Sequence, residues 1–291
     1  MSSKKQFAVL AFLGLFVTSL YAVDAPEDHF FDSNGVQIRY TVQGMGEPII
    51  LVHGFTGNGD SNWRGNGVIG RLEEDFKVIA VDTRGHGKSG KPHDPAAYGL
   101  EMVNDVVRLM DHLEIEKAHL VGYSMGGFIT LAVASLHPDR LLSAVIGGAG
   151  WNEPGAETGF ETLADSLEAG KGIGPLLVAL TPVGQPPPTE EQLAMINQMI
   201  LASNDPLALA AVIRGMNGLE TSREQIAAIE VPMIAIVGEI DPLREAAERL
   251  HELLPAVEVT VLEGKDHMTA MADPLLVESM RDFFISLCDC A

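Results

Sequence analysis

At 291 residues, with 46% of them apolar, the chain is long enough to bury one large core, which excludes a disordered segment or a small stapled scaffold. Its formal charge of -21 argues against a nucleic-acid partner and against purely electrostatic attachment to an anionic membrane. The two cysteines, Cys288 and Cys290, sit together at the C-terminus and provide no disulfide framework for the core; a strained local bridge, an intermolecular one or two free thiols remain open.

In chain order, Lys4 and Lys5 precede the apolar run Phe7 to Val17, and Leu20-Tyr21-Ala22 follows as a cleavage site. Residues 1–22 therefore read as a signal peptide that delivers the mature protein to a periplasm or outside the cell. A retained membrane anchor is the alternative, although the apolar run is shorter than the ~20 residues needed to span a bilayer. Phe30-Phe31 and Val36 to Tyr40 flank Asn34-Gly35, a hairpin signal at which sheet building starts. Pro48 to Val52 is an apolar strand that runs into His53-Gly54-Phe55, where Gly54 lets the loop turn and the Phe55 N–H becomes a candidate oxyanion donor. Gly65-Asn66-Gly67-Val68-Ile69-Gly70 spells G-x-G-x-x-G, but no strand runs directly into it and no helix clearly opens from it. The dinucleotide reading fails its context, and a loop is expected.

Ala118 to Val121 is strand-like, Phe128 to Ala134 reads as a buried helix, and between them lies Gly122-Tyr123-Ser124-Met125-Gly126, a G-x-S-x-G pentapeptide. A serine on such a turn is held in a strained conformation, and glycines two residues either side remove side chains that would crowd it. The Met125 N–H, in the first turn of the helix, points toward any negative charge that develops beside Ser124. Read alone, the pentapeptide also fits a helix entry that a serine merely caps. From Trp151 to about Ile229 the strand pattern stops and helical sequence intervenes, with Pro186-Pro187-Pro188 as a stiff link and Thr189-Glu190-Glu191-Gln192 as a capping box. Met233 to Val237 then forms a strand ending in Gly238-Glu239-Ile240-Asp241. Val257 to Leu262 alternates with period two and leads to Gly264-Lys265-Asp266-His267. Nucleophile, acid and base thus leave strands in one direction, toward the sheet edge where ligand chemistry gathers.

The chain resembles the α/β-hydrolase family from about Phe30 to the C-terminus. The resemblance rests on the Ser124 pentapeptide, His53-Gly54-Phe55, Val78 to Val81 leading into Asp82-Thr83-Arg84-Gly85-His86-Gly87-Lys88-Ser89, and the Val231-Pro232 entry to the acid's strand. It implies a mostly parallel, doubly wound α/β sheet formed by residues 23–150 and 230–291, with residues 151–229 as an inserted helical cap. It also implies Ser124 as nucleophile, His267 as general base and acid, and Asp241 as the residue that orients His267, with Phe55 and Met125 as oxyanion donors. Glu239 is the rival acid, but it lies nearer the strand end than the family pattern places it. His53 belongs to the oxyanion loop and His251 to a helical run, which leaves His267 as the base.

Trp63, Tyr123, Trp151, Met195, Met199 and Met216 are the expected substrate-pocket residues, although packing within the cap is an equal reading for each methionine. Gly87-Lys88-Ser89 lacks the earlier glycine of a phosphate loop, and Pro255 stands where a zinc-protease pattern after His251-Glu252 needs its second histidine, so neither cofactor nor metal is expected. The function expected is an exported serine hydrolase acting on a small, largely apolar ester, lactone or related acyl compound, with no stable membrane insertion after signal cleavage. Carbon–carbon bond hydrolysis, a perhydrolase or haloperoxidase-like activity, and a non-catalytic ligand-binding or receptor role on the same scaffold are the alternatives.

Overall fold

The computed structural model describes residues 26–156 and 158–288. The signal-peptide reading and the Cys288–Cys290 pairing lie outside the residues and side chains described.

Eight strands form one sheet: β1 (His29–Ser33), β2 (Val36–Gln43), β3 (Pro48–Val52), β4 (Lys77–Val81), β5 (Ala118–Tyr123), β6 (Leu141–Gly147), β7 (Met233–Gly238) and β8 (Glu258–Leu262). Their spatial order is β1-β2-β4-β3-β5-β6-β7-β8. The β1–β2 hairpin closes through Asn34 and Gly35, both at positive φ, as the primed turn requires. β2 runs antiparallel to β4, and every later pair is parallel. Parallel central strands are covered on both faces, which is why β3, β5 and β7 read as continuous apolar runs.

On one face, α2 (Leu100–His112), α3 (Met125–Leu136) and α9 (Arg244–Leu253) pack through Leu109, Ile129 and Leu250 against Ile50, Leu120 and Ala235. On the other, α1 (Val68–Leu72) and α10 (Pro274–Cys288) bring Ile69, Leu276 and Phe284 against Ile49, Leu51 and Val145. The chain is thus an α/β sheet with helices on both faces. The sequence expectation of a loop at Gly65 to Gly70 is corrected in part, since α1 opens at Gly67; still no strand runs into that glycine.

Between β6 and β7 the chain leaves the sheet and forms α4 (Phe160–Glu168), α5 (Gly174–Ala179), α6 (Glu190–Ser203), α7 (Pro206–Gly215) and α8 (Arg223–Ala227). The Thr189 capping box is formed, with Thr189 Oγ1 accepting from the Gln192 amide and the Gln192 side chain returning to the Thr189 amide. These helices are held unequally. α7 is buried from Ala208 to Ile213, and Arg214 at its end pairs with Glu161, Asp165 and Glu168 of α4, whereas α6 has no buried residue.

Candidate active site

β5 and α3 meet at Ser124, whose φ of 55° and ψ of -116° are the strained conformation that the pentapeptide foretold. Backbone hydrogen bonds hold it there: its N–H donates to Gly147 (2.8 Å), and its carbonyl accepts from Gly127 (2.8 Å) and Phe128 (3.2 Å). The flanking glycines are required by close approach, because a Cβ on Gly122 would overlap the Gly126 carbonyl oxygen, and one on Gly126 would overlap that of Val52. The helix start is thereby pressed onto the end of β3, where the oxyanion loop begins.

His267, in the loop after β8, places Nε2 3.0 Å from Ser124 Oγ, and its Nδ1 lies 2.9 Å from Asp241 Oδ2 in the loop after β7. Asp241 and His267 are 1% and 3% exposed, so the charge on Asp241 is shielded from water where it meets the imidazole. An ionised carboxylate only accepts, so Nδ1 carries the proton and the Nε2 lone pair faces the hydroxyl. The second oxygen of Asp241 accepts from the Leu243 amide (2.9 Å), which fixes the plane of the carboxylate. The rival acid is elsewhere: Glu239 is exposed and accepts from the Gly264 amide (2.8 Å).

The His267 loop is itself braced. Asp266 accepts from the amides of Met268 (3.0 Å) and Thr269 (2.8 Å) and from the Thr269 hydroxyl (2.7 Å). Burial pulls its carboxyl upward, but these bonds outweigh it and hold the group below the usual aspartate range. From below, the Tyr123 hydroxyl donates to the His267 carbonyl (2.6 Å); burial, and then the nearby charges of Asp241 and Asp266, push that phenol well above its usual range.

The loop after β3, expected to supply an oxyanion donor, starts at His53. His53 Nε2 accepts from the Thr83 amide (3.0 Å), so its proton resides on Nδ1 and is donated to the Gly54 carbonyl (2.8 Å). Burial depresses the pKa of this ring, and also that of neighbouring His86, which falls to about 3. Both are neutral braces rather than proton carriers. Gly54 donates to Asn62 Oδ1 (2.9 Å), and Gly57 returns to the Gly54 carbonyl (3.1 Å), closing a turn in which Thr56 is forced to a φ of 64°. Behind it, Asp82 accepts from the amides of Gly59 (2.8 Å) and Lys88 (2.9 Å) and pairs with the buried Arg39 (3.3 Å). A Cβ on Gly54 would lie 3.4 Å from Ser124 Cβ, so the loop abuts the nucleophile. Among the described residues, neither the Phe55 nor the Met125 amide donates to a carbonyl of a turn or loop, and both stand at this junction. Asn62 and Arg39 were not foreseen, because no local pattern ties them to Gly54 or Asp82.

The six expected pocket residues separate. Trp63 and Tyr123 are buried on the α1–α10 face of the sheet, away from the inserted helices, and Tyr123 braces the His267 loop instead. Met195 and Met199 project from α6 at 68% and 63% exposed. Only Trp151 and Met216 line a common cavity, about 80 Å³ in volume, with Phe128, Leu131 and Leu219. Neither Ser124 nor His267 lines it. Among the described residues no cluster of three or more His, Cys, Asp or Glu side chains could hold a metal.

Residues 47–166 match the family model described as the alpha/beta hydrolase fold. The dihydrolipoyllysine-residue acetyltransferase component of the acetoin cleaving system of Pseudomonas putida is 44% identical over 109 residues, which cover 37% of this chain and 28% of that protein. The match therefore spans under a third of that relative's length. The 2-hydroxy-6-oxo-6-(2'-aminophenyl)hexa-2,4-dienoic acid hydrolase of Metapseudomonas resinovorans is 29% identical over 224 residues, 74% of each chain. Among solved structures, Est816, described as an N-acyl homoserine lactone degrading enzyme, superposes with a TM-score of 0.71 at 25% identity, covering 88% of this chain and 100% of that one.

Proposed function

We propose, for an enzyme that belongs to the α/β-hydrolase fold family, that it is an exported serine hydrolase cleaving a small, largely apolar ester or lactone through an acyl-enzyme. The observation that carries this reading is the unbroken hydrogen-bonded run from Ser124 Oγ through His267 to the buried Asp241. An unassisted hydroxyl is a poor nucleophile at neutral pH. In the reading proposed, His267 Nε2 takes the Ser124 proton as Oγ attacks the carbonyl carbon, and Asp241 stabilises the imidazolium that forms. The Phe55 and Met125 amides meet the charge that develops on the carbonyl oxygen. The imidazolium then protonates the departing alkoxide; His267 next removes a proton from water as that water attacks the acyl-enzyme, and returns it to Ser124 Oγ as the C–O bond breaks and the acid is released.

Purified mature protein with Ser124→Ala should keep its circular-dichroism spectrum and lose turnover of simple aryl esters and lactones by about four to six orders of magnitude. A folded variant with wild-type turnover would overturn the reading. Export rests on the Lys4-Lys5 charge ahead of a short apolar run. Mass spectrometry of protein from its own cell should find the N-terminus near Val23, whereas intact protein beginning at Met1 in the membrane fraction would point to an anchor.

A second reading, carbon–carbon bond hydrolysis, is favoured by the dienoic acid hydrolase that is similar over 74% of both chains. Side-by-side turnover of an aryl ester and a 2-hydroxy-6-oxo-dienoate decides between them.

A further inference from the structure

The cavity beside Trp151 has apolar walls and stands apart from the Ser124 centre. Phe128 and Leu131 come from α3, Trp151 from the loop after β6, and Met216 and Leu219 from the turn after α7. Phe128 and Leu131 lie four and seven residues beyond Ser124 on one helix stripe, so the cavity begins about 6 Å along α3 from the nucleophile. Neither Ser124 nor His267 lines it, and α3 is packed tightly in between, where a Cβ on Gly127 would lie 2.6 Å from Ala149 Cβ.

We infer that this cavity is a second ligand site, separate from the Ser124 centre, that seats the end of a small uncharged aliphatic or aromatic molecule. Its volume is about 80 Å³, about half that of an engineered ~150 Å³ apolar cavity that binds benzene. A few carbon atoms fill it, and the remainder of a ligand leaves through the open mouth. Apolar walls give an aliphatic end a reason to leave water and enter. The mouth decides the charge. Among the described residues its ionisable side chains are the carboxylates Glu153 and Glu220, and no lysine or arginine lines it. Glu153 is paired with Arg223, which stacks on the Trp151 ring at 5.3 Å and lines the adjoining cleft together with Arg249, while Glu220 accepts from the Gly155 amide (3.3 Å). With a chain charge of -21 behind them, an organic anion is disfavoured and a neutral molecule is not. The site is independent of whether Ser124 turns over an ester.

Trp63 and Trp151 are the only tryptophans, and Trp63 is buried on the other face of the sheet, so mature protein carrying Trp63→Phe reports on the cavity alone. Titration with 1-hexanol should change Trp151 emission saturably, and hexanoate should bind at least about five-fold more weakly. Ala156 lines the mouth and is exposed, so Ala156→Phe should plug the cavity and abolish the response while the melting curve still reports a folded protein. Should Trp63→Phe fail to fold, saturation-transfer NMR from hexanol to the wild-type protein and to Ala156→Phe makes the same comparison. In kinetics, any competition by hexanol against an acetate ester should be the same in the wild type and in Ala156→Phe. A non-saturating response, tighter binding of hexanoate, or competition by hexanol against the ester that Ala156→Phe removes would each overturn the proposal; the last would make the cavity part of the Ser124 pocket.

Discussion

Thr56 holds a φ of 64°, which a β-branched residue reaches at a cost of about 1–3 kcal/mol. It sits beside Phe55, whose amide is assigned to the oxyanion. Glycine would relieve the strain but lose about 0.5–1 kcal/mol in chain entropy, so Thr56→Gly should stabilise the protein by about 0.5–2 kcal/mol on balance. Because the same change loosens the Phe55 amide, kcat should fall; urea denaturation and ester kinetics on one preparation check both signs. Asp241→Asn should cut kcat by up to about four orders of magnitude, since an amide can stabilise the wrong histidine tautomer. Glu239→Gln should cost far less, and the reverse ranking would transfer the acid to Glu239. The meeting of Ser124, Asp241 and His267 was legible because each residue follows a strand at a fixed offset, which is local information. The placement of Tyr123 was not: β5 is buried on both faces, so apolar character at Tyr123 carries no sign of which face it occupies.

At the scale of the element, α6 differs from α7 in what holds it. With no buried residue, α6 contributes few apolar contacts, and single truncations at Met195 or Met199 should change stability by under about 0.5 kcal/mol. Met216 is 6% exposed in the core, so Met216→Ala should cost about 2–5 kcal/mol. Thermal melts of the three variants test the contrast; equal losses would mean that α6 is as well packed as the turn after α7. The sequence distinguished hairpin and capping box readily, because Asn34-Gly35 and Thr189-Gln192 act over two to four residues. It did not rank the three methionines, since exposure is set by helices that lie far away in the chain.

Across the whole molecule, acid sensitivity follows from the two buried rings behind the oxyanion loop. His53 and His86 are held below the ordinary histidine value of 6.5, His86 at about 3, with burial the foremost cause. The unfolded chain takes up protons near 6.5, whereas both native rings do so at lower pH, His86 only near about 3. Stability should therefore be complete above about pH 6.5 and fall as pH drops below it, with His86 contributing up to about 1.4 kcal/mol per pH unit until about pH 3 and His53 adding loss of the same sign. Glu101, held at about 2 first by its hydrogen bond from Arg108, adds to the loss only below its ordinary value of 4.5. Urea denaturation between pH 7.5 and 5 isolates the histidines, and His86→Asn should flatten the slope by one ring's share. The strand order carries a further consequence, for the time course of folding. Ser124 and His267 are 143 residues apart, and β7 and β8 join the sheet only after the helical insertion has been made. Closing so long a loop is entropically costly and slow, whereas β3, β4 and β5 can dock from nearer sequence. On dilution from denaturant, helical ellipticity should return first and hydrolase activity last, so recovered activity would time the docking of the two final strands.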